Sequence, residues 1–234
     1  MLMIEQTEVS GFGAAIRGMR NPMNSWNLMD SGNWCENEGN PYKCGSCSLI
    51  GPMCKDHPGR AKFRIGPNDH DLMMWLAKAG PEHAKYRRMI LVSCDITAPL
   101  YWWKEFDTYK VGTVANACST MHKIHAKQFS LEDFSHEHLT DATVCALRET
   151  VDTLNFWRAQ YNSADSEARR KECWWQMIQL LPSSYNQKRT VLMNYEVSAN
   201  IYQQRKNHKL DEWREFCTWI ESLPYSELIV GDAL

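Results

Sequence analysis

The stretch from Leu181 to Glu215, LPSSYNQKRTVLMNYEVSANIYQQRKNHKLDEWRE, constrains this chain most. It combines helical periodicity with polar groups that a purely structural helix does not need. Leu181-Pro182 marks its start. Val191, Tyr195, Ala199 and Tyr202 recur at i, i+4, i+8 and i+11, a helical stripe. The apolar residues also alternate from Met193 to Ile201, which a strand would satisfy. The length of the stretch and its lack of a turn signal favour one long helix. Asn194, Asn200 and Arg205 interrupt the stripe. Asn is a poor residue inside a helix because its side chain competes for backbone hydrogen bonds. At about 3.6 residues per turn, Asn194 and Arg205 fall on nearly one side, with Asn200 about a third of a turn away. Together they offer amide donors, amide acceptors and one guanidinium fork, a combination suited to a nucleotide base or a flavin ring. The competing reading is a set of solvated polar residues.

A second block, Ile90 to Lys110, reads as a strand, an Ala98-Pro99 turn and a short helix bearing Tyr101, Trp102, Trp103 and Phe106. Three adjacent aromatics cover most of that helix, so it is buried or lies at a subunit interface. Val111 to Ala117 follows as a loop of small residues that a ligand can approach closely. Beyond it, Ser119, Thr120, Lys123 and Lys110 form a candidate phosphate pocket, set against the plainer reading of a solvated turn.

These two blocks resemble the flavin-dependent thymidylate synthases. The spacing Leu-Pro, Asn twelve residues after the Pro, Asn six further on and Arg five further on resembles that family's C-terminal helix. The Ile90–Lys110 block resembles the segment leading into the family signature R-H-R-x-x-S-x-N-x-x-S-x-R-Y, which falls here from Thr108 onward. Lys110 stands for the third basic residue and Thr113 for the serine; with one inserted residue, Asn116 and Ser119 stand for the N-x-x-S. Thr108 and Tyr109 replace the first Arg and the His. Met121-His122 replaces the final Arg-Tyr, Ile178 or Gln179 the Arg before Leu-Pro, and Glu196 the Arg after the first helix Asn.

The resemblance implies a mixed α/β fold with long C-terminal helices, one domain over residues 1–234, and a homotetramer. It implies reductive methylation of dUMP to dTMP with FAD, NADPH and methylenetetrahydrofolate. In such chemistry the flavin carries hydride and methylene while the protein orients rings and polarises a carbonyl. Arg205 is then the catalytic contact to the pyrimidine. Lys110, Asn116, Asn194 and Asn200 face the cofactor, and Ser119, Lys104, Thr113 and Arg205 the substrate. Two other readings share the fold: a non-catalytic nucleotide sensor or sponge, and an enzyme acting on another pyrimidine nucleotide.

Residues Ser31 to Arg60 differ in texture, with many Gly and Pro and little periodicity, and read as an insertion over about 33–60 with no core of its own. Cys35, Cys44, Cys47 and Cys54 supply four thiols, two at knuckle spacing, suited to a structural zinc. An iron–sulfur cluster and free thiols are the alternatives. The nine cysteines and the absence of a signal-like N-terminus point to a reducing cytoplasm. A net charge of −2 gives no bulk attraction to nucleic acid or anionic membrane, and no apolar run is long enough to span one.

Elsewhere the pattern predicts strand, turn and strand over Ile4 to Arg17, with Arg17 and Arg20 as surface charges or phosphate contacts. It predicts helices at Asn68–Gly80, capped by Asn68, at Thr140–Tyr161 with the stripe Val144, Leu147, Val151, Leu154 and Trp157, at Glu167–Leu180 and at Asp211–Leu223. Ser130 to Asp133 reads as a capping box. His136 and His138, two residues apart, put their rings on different faces of a helix and do not share a metal unless the segment is extended.

Overall fold

The structure, a computed structural model, describes residues 1–35 and 61–231, with the side chains of 34, 35, 61 and 62 outside that description. Its elements run β1 (Met3–Ser10), α1 (Phe12–Arg20), β2 (Gly32–Cys35), β3 (Ala61–Arg64), α2 (Pro67–Lys78), β4 (Leu91–Pro99), α3 (Leu100–Phe106) and β5 (Val114–Ala117). They continue with α4 (Thr120–Lys123), α5 (Asp141–Ser163), α6 (Glu167–Leu180), β6 (Asn186–Asn194), α7 (Tyr195–Arg205), α8 (Asp211–Glu221) and α9 (Glu227–Val230). The mixed α/β class is as expected. A four-stranded sheet has the order β1-β4-β6-β5, and β2 pairs with β3 in a separate antiparallel ladder. Contacts divide the chain into two compact units.

The first unit comprises Met1–Glu8, Ser93–Met193 and Arg205–Thr218. Its core has two parts. Helix α5 turns Leu147, Val151 and Leu154 onto Met177 of α6 and onto Ile124, Phe129 and Phe134. The predicted stripe is correct, although Val144 and Trp157 are only half-buried. Full burial of each such side chain contributes about 1.5–3 kcal/mol. The other part is aromatic. Trp102, Trp103 and Phe106 of α3 meet Trp213 and Phe216 of α8, with Trp102 and Trp213 centroids 4.7 Å apart. The capping box forms as expected: Ser130 and Asp133 satisfy each other's backbone around a single 3-10 turn.

The second unit comprises Val9–Val92, Asn194–Gln204 and Trp219–Leu234. Here the expected strand–turn–strand is corrected: Phe12 to Arg20 is helical. A short apolar run such as Ala14-Ala15-Ile16 fits either period, and the face that is buried, Phe12, Ala15, Ile16 and Met19, follows i, i+3, i+4 and i+7. Gly11 starts this helix at φ 95°, where an added Cβ would lie 2.0 Å from the Met89 carbonyl oxygen. Phe12 stacks on Phe63 and sets its ring edge-on to Tyr195 and Tyr225.

Arg20 is neither a surface charge nor a phosphate contact. It is 3% exposed and its Nε donates to Asp69 Oδ1 at 2.7 Å. Asp69 Oδ2 accepts the Asp30 and Ser31 amides at 3.1 and 3.0 Å. Asp30 reciprocates, accepting the amides of Asn68 and Asp69 at 2.9 and 3.1 Å. This clasp also corrects the expected cap of α2. Pro67 takes the first helical position and Asp30, not Asn68, caps from a distance.

The stretch Leu181–Glu215 is not one helix. It forms β6, then α7, then α8. From Gln187 to Met193 the odd-numbered Gln187, Val191 and Met193 are buried while Lys188, Thr190 and Leu192 are exposed, the period of a strand. Asn194 stops the strand and starts the helix, its Oδ1 accepting the Val197 amide at 3.0 Å as an N-cap. The expected loop at Val111–Ala117 also becomes partly a strand: β5 pairs antiparallel with β6, Asn116 opposite Thr190 and Ala117 opposite Arg189.

Candidate functional site

Arg205, at the end of α7, is the most constrained of the predicted site residues. Its Nη1 donates to Glu105 Oε2 at 2.6 Å and its Nε to the Tyr109 hydroxyl at 2.9 Å. The guanidinium carbon lies 4.7 Å from the Trp213 ring centroid, a cation–π contact. Glu105 Oε2 also accepts the Trp213 indole N–H at 3.0 Å and lies 3.5 Å from His208 Nε2. The Arg205 side chain is 19% exposed, so the fork is fixed yet still reachable.

Two separate stretches of sequence meet at this bond. Tyr109 sits where the resemblance places the signature histidine, and Arg205 where it places the pyrimidine contact. Glu105 was not among the predicted residues, nor was Trp213 as a support for the fork. No spacing singles out Glu105, since Tyr109 lies beyond the end of α3 at Phe106. No spacing links either residue to Trp213.

The other predicted residues of this unit lie along the exposed run from Thr108 to Ser119 and its flanks. Lys104 and Lys110 are exposed, and Asn116 is exposed on β5. Thr113 donates its hydroxyl to the Tyr109 carbonyl, so that proton does not reach a phosphate. Ser119 caps α4 by accepting the His122 amide at 3.0 Å, which leaves its hydroxyl hydrogen free to donate. Arg189, a residue the sequence did not single out, lies across the ladder from Ala117. Its guanidinium stacks 4.2 Å over Trp103 and donates to Asp107 at 2.7 Å. Its neighbours on β6, Thr190 and Lys188, both bond the half-buried Asp95 of β4, holding its carboxyl below the ordinary aspartate range.

In the second unit, Asn194 spends its carbonyl on the α7 cap, and Asn200 is exposed. Glu196 carries a buried Oε2 with no hydrogen-bond partner among the described residues. A cavity of about 580 Å³ opens between Met19, Trp75, His83 and Met89. In the first unit one of about 380 Å³ lies beside Tyr101, His136 and Leu147. Neither is lined by a predicted site residue. The cysteine set Cys35, Cys44, Cys47 and Cys54 lies outside the described residues apart from the Cys35 backbone. Among the described residues no group of three or more His, Cys, Asp or Glu could hold a metal. None of the described helices is long and apolar enough to cross a membrane.

The fold is that of the flavin-dependent thymidylate synthases. The chain superposes over 99% of its length on 98% of the thymidylate synthase ThyX of Helicobacter pylori solved with FAD and dUMP, with a TM-score of 0.62 and 13% sequence identity. A second structure of that enzyme with the same two ligands gives a TM-score of 0.61 at 11% identity, covering 98% of this chain and 97% of that one. A UMP/dUMP methylase, PolB of Streptomyces cacaoi, bound with 5-Br dUMP, gives 0.54 at 9% identity over 95% of this chain and 89% of the other. No protein-family model and no curated protein sequence matches the chain.

The flavin that the resemblance implies can be tested against the residues present. Of the three positions that are basic or histidine in the signature, Thr108 donates to the Glu105 carbonyl and Tyr109 bonds Arg205; only Lys110 keeps a cation. Glu196 places a carboxylate where the resemblance puts an arginine. These side chains do not fit a flavin diphosphate.

Proposed function

We propose that this protein binds a pyrimidine mononucleotide in the first unit, with Arg205 as the contact to the base. The observation that carries the reading is the Arg205–Tyr109 bond, which joins the signature-like segment to the C-terminal arginine on a fold shared with proteins solved with dUMP and 5-Br dUMP. Arg205 is held on two sides and over an indole, so its open edge is already oriented before a ligand arrives. Preorganisation of this kind lowers the cost of binding. Lys110, Lys104 and Ser119 are the groups offered to the phosphate, as point charges and one hydroxyl in place of bidentate forks. Asn116 lies on β5, the edge strand of the four-stranded sheet.

Reductive methylation of dUMP with FAD, NADPH and methylenetetrahydrofolate is the activity the resemblance implies. The misfit at Thr108, Tyr109 and Glu196 favours the alternative, a nucleotide-binding protein or an enzyme on another pyrimidine nucleotide that does not retain FAD. A structural zinc on Cys35, Cys44, Cys47 and Cys54 belongs to the same proposal and rests on their spacing alone.

The test is calorimetric titration of dUMP, dCMP and a purine mononucleotide into wild type and Arg205→Ala, with an absorbance spectrum taken before and after adding FAD. Pyrimidine binding is expected in wild type and its weakening, by a factor of about 10–150, in the variant, because a charged hydrogen bond is worth about 1.5–3 kcal/mol. Unchanged binding in a folded Arg205→Ala protein would remove Arg205 from the site. A flavin band that bleaches with NADPH and returns with dUMP and methylenetetrahydrofolate would restore the synthase activity.

A further inference from the structure

We infer that Arg189, acting with Gln187, is a positioning residue for the phosphate arm of the site: the pair pins both ends of the run 107–118 and so sets where Lys110 and Ser119 stand; this rests on the pyrimidine mononucleotide reading given above. Every residue involved belongs to the first unit. Two residues apart on β6, Gln187 and Arg189 point to one face of the strand. Arg189 Nε donates to Gln187 Oε1 at 2.9 Å, which couples the two side chains. From there the pair reaches in opposite directions. Arg189 Nη1 donates to Asp107 Oδ1 at 2.7 Å, where α3 ends. Gln187 Nε2 donates to the Cys118 carbonyl at 2.9 Å, and the Cys118 amide donates to the Lys188 carbonyl at 3.0 Å. Cys118 is thus held through both of its backbone groups, one residue past the end of β5.

Burial cannot do this work. From 107 to 119 only Tyr109 and Thr113 are even half-buried, and the rest are exposed. A run without apolar anchors takes its shape from its polar ties. Lys110 lies three residues beyond Asp107, and Ser119 directly follows Cys118. Fixing the two ends therefore fixes the groups offered to a phosphate before it arrives, which lowers the cost of binding it.

Arg189 acts through what it holds. Its side chain is 14% exposed and its guanidinium stacks 4.2 Å over Trp103, with Nε and Nη1 both committed. The position of Asp107 gives the inference a sign. A carboxylate near an anion site repels the anion by charge alone. As an anchor for Arg189, the same carboxylate favours binding instead.

The experiment titrates a mononucleotide and its nucleoside, dUMP with deoxyuridine and dCMP with deoxycytidine, into the full chain, Arg189→Met and Asp107→Ala. Methionine keeps an apolar stem against Trp103 and removes the donors. In both variants the mononucleotide is expected to bind about five- to thirtyfold more weakly, the factor for fixing the backbone of one residue only when the ligand arrives. The nucleoside should bind within about twofold of wild type, a split that a merely structural role would not produce. Equal losses for mononucleotide and nucleoside in Arg189→Met overturn the inference. So does an Asp107→Ala protein that binds the mononucleotide as tightly as wild type or more tightly. The Asp107 side chain is 50% exposed, and substitution at such a position leaves the core intact, so a poorly folded Arg189→Met does not blunt the test. Wild type that binds nucleoside as tightly as mononucleotide refutes this inference alone, whereas binding of neither refutes the pyrimidine reading and this inference with it.

Discussion

Replacing Asp69 by alanine tests the energetic account of the second unit. The ion pair it makes with Arg20 is closed to solvent, with side chains 4% and 0% exposed and a 2.7 Å contact. Taking away the carboxylate leaves the guanidinium buried and unpaired, and its Nη2 already lacks a partner among the described residues. Breaking a buried pair from one side costs about 3–5 kcal/mol. The Asp30 and Ser31 amides lose their acceptor as well, but they are only partly buried and water replaces it. The expected loss is thus about 3–5 kcal/mol, out of the roughly 5–15 kcal/mol that holds a domain together. Urea denaturation followed by circular dichroism reads this as a lower midpoint at unchanged slope. The double replacement Arg20→Met, Asp69→Leu should recover more than half of it, because no charge is left behind. A loss below about 1 kcal/mol in Asp69→Ala would refute the claim that the pair is buried and uncompensated. The pH dependence adds a second check. Burial pushes the Asp69 pKa up, but the bonds from Ser31, Arg20 and the Asp30 backbone, with the charge of Arg20, outweigh it and hold it below the ordinary value. A lowered folded pKa means the stabilisation is present above the unfolded pKa and fades as pH falls through the folded one. Wild type should therefore lose stability more steeply than Asp69→Ala below about pH 4.

Asn194→Ala removes the α7 cap and should cost about 0.5–2 kcal/mol, with Asn194→Asp restoring most of it; thermal melts of the three proteins decide. Leu154→Ala opens a cavity between α5 and α6 and should cost about 2–5 kcal/mol by chemical denaturation, whereas the exposed Phe156→Ala should cost little.

How far the sequence speaks depends on whether the information is local. Helix α6 is found at the bounds expected for it, Glu167–Leu180, and α5 is readable because its long apolar stripe repeats many times over. Helix α1 and strand β6 are not, because three or four apolar residues fit both periods and only the neighbours they bury against choose between them. The polar interruptions in Leu181–Glu215 were legible as unusual, but the reason for one of them was mistaken: Asn194 is a junction between strand and helix, not a residue inside one. Arg20 was unreadable in principle, since its partner lies 49 residues away. Likewise Arg205 could be picked out by its resemblance, while Glu105 and Trp213, which fix its orientation, carry no pattern that ties them to it.

The aromatic cluster behind Arg205 has an optical consequence. Trp102 lies 4.9 Å from Trp103 and 4.7 Å from Trp213, close enough for the indoles to share excitation and to give a strong near-ultraviolet dichroic signal. Two of the three are faced by a cation, Arg189 over Trp103 and Arg205 over Trp213. A positive charge held against an indole shifts its emission, so any ligand that draws Arg205 toward itself alters the colour and brightness of the cluster. The protein thus carries its own chromophore at the place where binding is expected, and a fluorimeter can follow occupancy without a label.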